Sequence, residues 1–333
     1  MNPVSVVRRG SIESSASTVR DTSRAEFGAY IKTYRPDHPL ARAAAASLRH
    51  FAPGIDVTLI PGDGYAHETL LGEQVLHSDD PLLVPLHGYF KKLWCFWGPY
   101  RRFLYVDSDV IAVSDLEPLL AHVRGLSEPF FVCSGSPALR DGLRASPPAE
   151  RDRKYRTRIG DLELLREFDP EYDHEATYPF NSGVFLASRG GVPHALMRSA
   201  MERANAMHDA RGLPRLGRSR EGLFMGDQGL INYLVYKCGV DPVLWDGLYE
   251  WAGRDTALLR AASGGRLFVH WAGVARPSLL NRRGDFGRLW ARFYTAHHKE
   301  RGSTHALVAE VCRQAAREGV HALRRTVRRG LGR

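Results

Sequence analysis

At 333 residues, 44% hydrophobic and 25% charged, the chain can bury a substantial core, which excludes a wholly disordered or fibrous protein. Its net charge of +9, from 46 basic and 37 acidic residues, favours an anionic partner: a phosphorylated ligand, a membrane surface or a nucleic acid. No stretch approaches the roughly 20 apolar residues that span a bilayer, and Cys95, Cys133, Cys238 and Cys312 are scattered with no C-x-x-C pair. An integral helical membrane protein, a structural zinc site and a disulfide framework are therefore disfavoured, and a reducing cytoplasm is expected.

Residues 1–25, rich in Ser, Thr and Arg, read as a disordered lead-in and as neither a secretory signal nor a membrane anchor. Residues 27–34 form a predicted strand, 40–51 an alanine-rich helix, and 57–60 a second strand that stops at Pro61-Gly62. Leu86, Phe90, Leu93, Trp94 and Trp97 recur at helical spacing, which predicts a core helix. Phe103-Leu104-Tyr105-Val106 is the next strand, and the apolar run 110–113 follows it closely. Such alternation with continuous apolar strands predicts an α/β fold, its mainly parallel sheet flanked by helices on both faces.

Further strands are expected at 130–133, 185–187 and 267–269, the last ending at His270. A helix is expected at 226–238, with Leu230, Ile231, Leu234, Val235 and Cys238 on one face. Residues 135–178 are charged and weakly periodic and read as a functional loop or a disordered insert. The chain turns basic after Thr304, and its apolar residues can share one side of a helix, so 301–333 reads as a basic amphipathic helix. The domain proper spans 26–300.

Asp107-Ser108-Asp109 ends the strand 103–106. Two carboxylates at the tip of a buried strand are costly to desolvate, and a hard divalent cation relieves that cost. Ligands of such sheets gather at the carboxyl ends of the strands, where this pair falls. Three more segments lie at predicted strand ends or a helix start: Asn181-Ser182-Gly183-Val184, Gly226-Asp227-Gln228-Gly229 and His270-Trp271-Ala272-Gly273.

In this order and spacing, the four segments resemble the retaining glycosyltransferases of family 8 and their GT-A-fold relatives, which transfer sugars from nucleotide-sugars. The resemblance covers residues 80–280, roughly, and implies a GT-A nucleotide-diphospho-sugar transferase fold. It implies that Asp107, Asp109 and His270 hold Mn²⁺ or Mg²⁺, a mixed oxygen and imidazole shell that suits Mn²⁺. It places Asp107, Ser108, Asn181, Ser182, Gly273 and Arg276 around the donor, with Asp227 and Gln228 at the reacting sugar; in the first strand, which departs from the family, Thr33 or Lys32 is the residue expected to face the nucleotide. The activity implied is transfer of a hexose from a nucleotide-diphosphate sugar, a UDP-sugar in the main, to an acceptor hydroxyl with retention.

The chain departs from the family pattern in two places. Where the family has H-x-x-G-x-x-K-P and an aromatic, this chain has Arg276 for the lysine and Ser278 for the aromatic. Arginine still supplies donors to a diphosphate. The first strand reads Tyr30-Ile31-Lys32-Thr33-Tyr34 and lacks the aspartate that helps bind the nucleoside.

The acceptor is expected to be a sugar, a lipid-linked glycan or a protein, with peripheral membrane contact through 306–333 on the inner face as one reading of the basic helix. Nucleic acid is not expected, because no recognition motif accompanies the arginines. A metal-dependent nucleotidyltransferase or nucleotide-sugar hydrolase is the rival enzyme class, and a non-catalytic binding protein on the same fold is the rival outside enzymes.

Overall fold

The computed structural model describes residues 4–7, 26–34, 37–62, 74–78, 88–216, 222–251, 265–270 and 284–300, with positions 308, 309, 311, 312 and 316. Strands β1 (Val4–Val7), β2 (Phe27–Thr33), β3 (Asp56–Pro61), β4 (Gln74–Ser78), β5 (Arg102–Asp107), β7 (Phe131–Ser134), β8 (Val184–Ser188) and β9 (Val243–Trp245) form one mixed sheet. Its order is β1-β4-β3-β2-β5-β8-β7-β9. The β4-β3-β2-β5 block is parallel, β8 runs antiparallel to both its neighbours, and β9 pairs parallel with β7. Strands β6 (Val110–Ala112), β10 (Tyr249–Trp251) and β11 (Phe268–His270) make a second, small sheet in the order β10-β11-β6.

The central strands are apolar on both faces, and their pleat divides the core in two. Phe103 and Tyr105 of β5 point to one side with Tyr30, Phe131 and Phe185, while Leu104 and Val106 point to the other with Ala29, Ile31 and Leu186. The first layer is closed by the segment Gly88–Trp97 and by α7 (Gly226–Lys237), the second by α1 (His38–Phe51) and α2 (Glu117–Arg124). Ring stacking ties neighbouring strands together: the Phe185 centroid is 4.9 Å from Tyr105 and 5.0 Å from Phe131.

The alanines of α1 explain its position. Ala41, Ala44 and Ala45 face the sheet, whereas Leu40, Ala43 and Ala46 face α8 (Gly284–Glu300) and its buried Trp290 and Tyr294. Small side chains on both sides let one helix be gripped between two layers.

Three expectations change. The stripe at 90–97 is a 3₁₀ helix, Gly88–Trp97, rather than an α-helix. Phe90, Leu93 and Phe96, all buried, are three residues apart, and threefold winding eclipses such positions on one face. The insert 135–178 is neither loop nor disorder: it folds into α3 (Pro137–Arg144), α4 (Pro148–Arg158), α5 (Leu162–Phe168) and a 3₁₀ turn, His174–Ala176. Few apolar positions suffice there, since Leu143, Tyr155, Leu162, Leu165 and Phe168 all join the main core. Inside the segment 1–25, Val4–Val7 forms an edge strand antiparallel to β4; β-branched residues suit that pleated edge. The strand expected at 267–269 is present as β11 and ends at His270; it pairs with β6 in the small sheet.

Helix α6 (His194–Ala210) completes the described core, and its Met197, Ala200, Met201 and Ala204 are buried there. In the basic C-terminal stretch, positions 308, 309, 311, 312 and 316 are helical; Val308 is exposed, and Val311 packs against the α1–α8 core. Among the described residues, no helix is long and apolar enough to cross a membrane.

Candidate active site

Parallel pairing of β2 with β5 sets Lys32 opposite Asp107 on the last rung, so both strands deliver side chains at the same sheet edge. Because β8 is antiparallel to β5, its amino end, with Asn181 to Gly183 just before it, arrives at that edge too. The Asp107 N–H donates to Gly183 O at 2.7 Å and locks this juxtaposition. The chain turns at Ser108, whose hydroxyl is 3.4 Å from Asp37 Oδ2 at the start of α1, and then enters β6.

The small sheet brings His270 to the same place. Antiparallel pairing sets His270 opposite Val110 and hence beside Asp109, with Nε2 3.4 Å from Asp109 Oδ1. One ligand atom from each of Asp107, Asp109 and His270 lies within 4.8 Å of the other two. Gly183 makes room for the ring, since a Cβ there would stand 2.2 Å from His270 Cε1. Two carboxylates and one imidazole are a donor set that fits a divalent metal such as Mn²⁺.

A buried lysine that the sequence reading passed over is central to the site. Lys92 lies in the 3₁₀ helix with 2% exposure; its Nζ is 3.2 Å from Asp107 Oδ1 and 2.5 Å from Asp227 Oδ2. It also donates to Ser182 Oγ at 3.2 Å and Ser182 O at 3.3 Å, over the Tyr105 ring. Burial pulls its pKa down, but the two carboxylates outweigh burial and hold it above the ordinary lysine value. For Asp107, burial pushes upward, while Lys92, then His270 and a 2.7 Å hydrogen bond from the Tyr105 hydroxyl, keep the carboxyl below its usual range. Burial lowers the pKa of Lys32, the second cation at this edge, against the opposing pull of Asp107.

The signal for Lys92 was present: a charge inside an apolar, aromatic stripe must find a partner when the stripe is buried. Which partner it finds is a long-range matter.

Asn181 and Gln228 meet directly. Asn181 Nδ2 donates to Gln228 Oε1 at 2.9 Å, and Asn181 Oδ1 accepts from the Gly183 N–H at 2.9 Å. Gln228 Nε2 donates to the carbonyl of Arg158, at the end of α4, at 3.1 Å. The helical insert thus abuts the start of α7, and Gly229 permits it: a Cβ there would lie 1.9 Å from Ile159 O. Asp227 stands in the first turn of α7, where free N–H groups and the helix dipole favour negative charge. Its Oδ2 is 3.4 Å from the Ser182 hydroxyl.

The structure therefore gathers Asp107, Ser108, Asp109, Asn181, Ser182, Asp227, Gln228 and His270 at one edge. Thr33 ends β2 beside them, fully buried, with no hydrogen-bond partner for Oγ1 among the described residues. Gly273 and Arg276 lie outside the described residues.

Neither a family model nor a curated protein sequence matches the chain. Among solved structures, the galactosyltransferase LgtC, in complex with donor and acceptor sugar analogues, is similar over 81% of this chain and 95% of its own. Its TM-score is 0.51 at 12% identity. The chain has a GT-A-type fold. The bifunctional glycosyltransferase WbbM scores 0.49 at 11% identity, covering 84% of this chain and 50% of its own. GlyE of Streptococcus pneumoniae scores 0.46 at 14% identity, covering 85% of this chain and 64% of its own.

Proposed function

We propose that the protein is a metal-dependent glycosyltransferase that moves a hexose from a nucleotide-diphosphate sugar, a UDP-sugar, to an acceptor hydroxyl with retention. The observation that carries this reading is the convergence of the Asp107–Asp109–His270 group and the Asn181–Gln228 pair on one edge of a GT-A-type sheet. All the solved structures described above are glycosyltransferases. A nucleotidyltransferase or nucleotide-sugar hydrolase also needs carboxylates at a diphosphate, but has no use for a linked Asn181–Gln228 pair beside them.

Asp107, Asp109 and His270 would hold a divalent ion, which would supply charge neutralisation at the departing diphosphate. Arg276 and the Gly273 amide lend further donors to the phosphates. Thr33, at the end of β2, faces the nucleoside. Asn181 and Gln228 present amide groups of fixed orientation to the sugar hydroxyls, because each already spends one hydrogen bond on the other or on the backbone. Lys92 holds the Asp107 and Asp227 side chains in register. Asp227 is the carboxylate on the reacting face, and its close pairing with Lys92 weakens it as a nucleophile while strengthening it as a positioning group for sugar and acceptor. That favours same-face attack over a covalent intermediate. The acceptor reaches the site past α4, whose end touches Gln228.

The test is turnover with Mn²⁺ across a panel of nucleotide-sugars, with product configuration read by NMR. Asp107→Ala and Asp109→Ala are expected to lose about 10²-fold or more in kcat. Undiminished transfer by either variant removes the metal reading, and donor hydrolysis with every acceptor favours the hydrolase.

A further inference from the structure

A second group of metal-ligating side chains lies in the helical insert and shares no residue with the first. Asp152 of α4 and His174 and Glu175 of the 3₁₀ turn each place a ligand atom within 4.8 Å of the others. His174 is 6% exposed. Among the described residues its buried Nε2 has no hydrogen-bond partner, and Asp152 Oδ1 stands 3.9 Å away, too far for a hydrogen bond.

A buried imidazole nitrogen aimed at a carboxylate across such a gap leaves a group unsatisfied that a cation between them would satisfy. Ligands on a tetrahedral zinc stand about 3.4 Å apart, so His174 and Asp152 close on an ion with a movement of about half an ångström, and the Glu175 carboxylate comes in from within 4.8 Å.

We propose that Asp152, His174 and Glu175 form a second divalent-metal site, of the zinc type, that staples α4 to the segment leading into Asn181. Imidazole with two carboxylates and water in the remaining position is a zinc donor set. Glu175 Oε1 accepts from Arg151 at 2.7 Å, and its other oxygen accepts no hydrogen bond among the described residues. The charges of Arg151 and Arg166 oppose a cation, and Asp173, whose carboxylate accepts from the Glu175 N–H, adds to the acidic side.

The site sits between two connections to the sugar-binding pair. Tyr155, one turn on from Asp152, donates to Thr177 O at 2.9 Å, and the chain then runs to Asn181. At its far end α4 bonds Gln228 through the Arg158 carbonyl.

The experiment counts zinc. Protein carrying Asp107→Asn and Asp109→Asn, which removes the first site, is stripped with chelator and dialysed against zinc chloride. Metal per chain is read by mass spectrometry and affinity by calorimetry. About one zinc per chain is expected, together with a rise in Tm. His174→Gln is expected to weaken zinc about tenfold or more. Should His174→Gln fail to fold, Asp152→Asn, at a more exposed position, carries the same expectation. A folded Asp107→Asn/Asp109→Asn protein that takes up no zinc overturns the proposal, as does undiminished zinc in folded His174→Gln or Asp152→Asn.

Discussion

Lys92 Nζ lies 2.5 Å from Asp227 Oδ2, joining a 3₁₀ helix in the first third of the chain to the first turn of α7. The same ammonium is 3.2 Å from Asp107, so one buried cation ties both acidic elements of the site together.

Removing that cation leaves two carboxylates facing each other with little water. Lys92→Met is expected to lower stability by about 3 kcal/mol, measured as the urea midpoint multiplied by the slope. Lys92→Arg should recover part of the stability, but its larger, planar head cannot reproduce both contacts with Ser182. Equal stability of Lys92→Met and the unaltered protein would refute the pairing.

The pH dependence follows from the directions of the shifts. Asp107 titrates below its ordinary value when folded, so its contribution is present above about pH 4 and is lost as pH falls through the folded pKa. Lys92 titrates above its ordinary value, so its contribution is complete below about pH 10 and is lost only at higher pH. With metal removed by chelator, the stability difference between unaltered protein and Lys92→Met should be flat between about pH 6 and 9 and shrink towards pH 3. A difference that grows on acidification contradicts the assignment.

Gly183→Ala tests the room left for His270. Its methyl would stand 2.2 Å from Cε1, so the imidazole must leave the position that sets its Nε2 3.4 Å from Asp109. Mn²⁺ affinity, followed by calorimetry, is expected to fall about tenfold or more, with the far-ultraviolet dichroism unchanged. Unchanged Mn²⁺ affinity would separate His270 from the metal.

Asn181→Ala and Gln228→Ala should each slow transfer more than they weaken donor binding, and the double variant should cost less than the sum of the two. The amides hold each other in place, so losing either partner frees the other. Strict additivity of the two in kcat/KM would argue against one unit.

Thiol reactivity reads the packing independently. Cys312 is exposed, whereas Cys95 and Cys133 are buried and their thiols pushed upward by that burial. Burial raises Cys238 to about 11, leaving about one thiolate in a thousand at pH 8. Iodoacetamide at pH 8 is expected to label Cys312 first, as mapped by peptide mass spectrometry, with Cys95 and Cys133 labelled only in denaturant.

How much the sequence revealed depended on the range of the forces involved. β5 was legible because Phe103 to Val106 is a continuous apolar run ending in two carboxylates, and α1 because its alanines favour a helix. The helices of 135–178 were not legible. Their mean composition is charged, and their few anchors, such as Tyr155 and Phe168, count only once the core receives them.

By itself, the chain determined the sheet's central strands, both helices α1 and α7, and the four segments from which a site could be built. These depend on local periodicity and on the cost of burying carboxylates at a strand tip. Only the tertiary structure decided that Lys92 would face Asp107 and Asp227, and that β11 would leave the main sheet to pair with β6 and set His270 beside Asp109. Those pairings join residues far apart in the chain, and they are selected by which apolar faces bury together and by the need of a buried charge for its opposite.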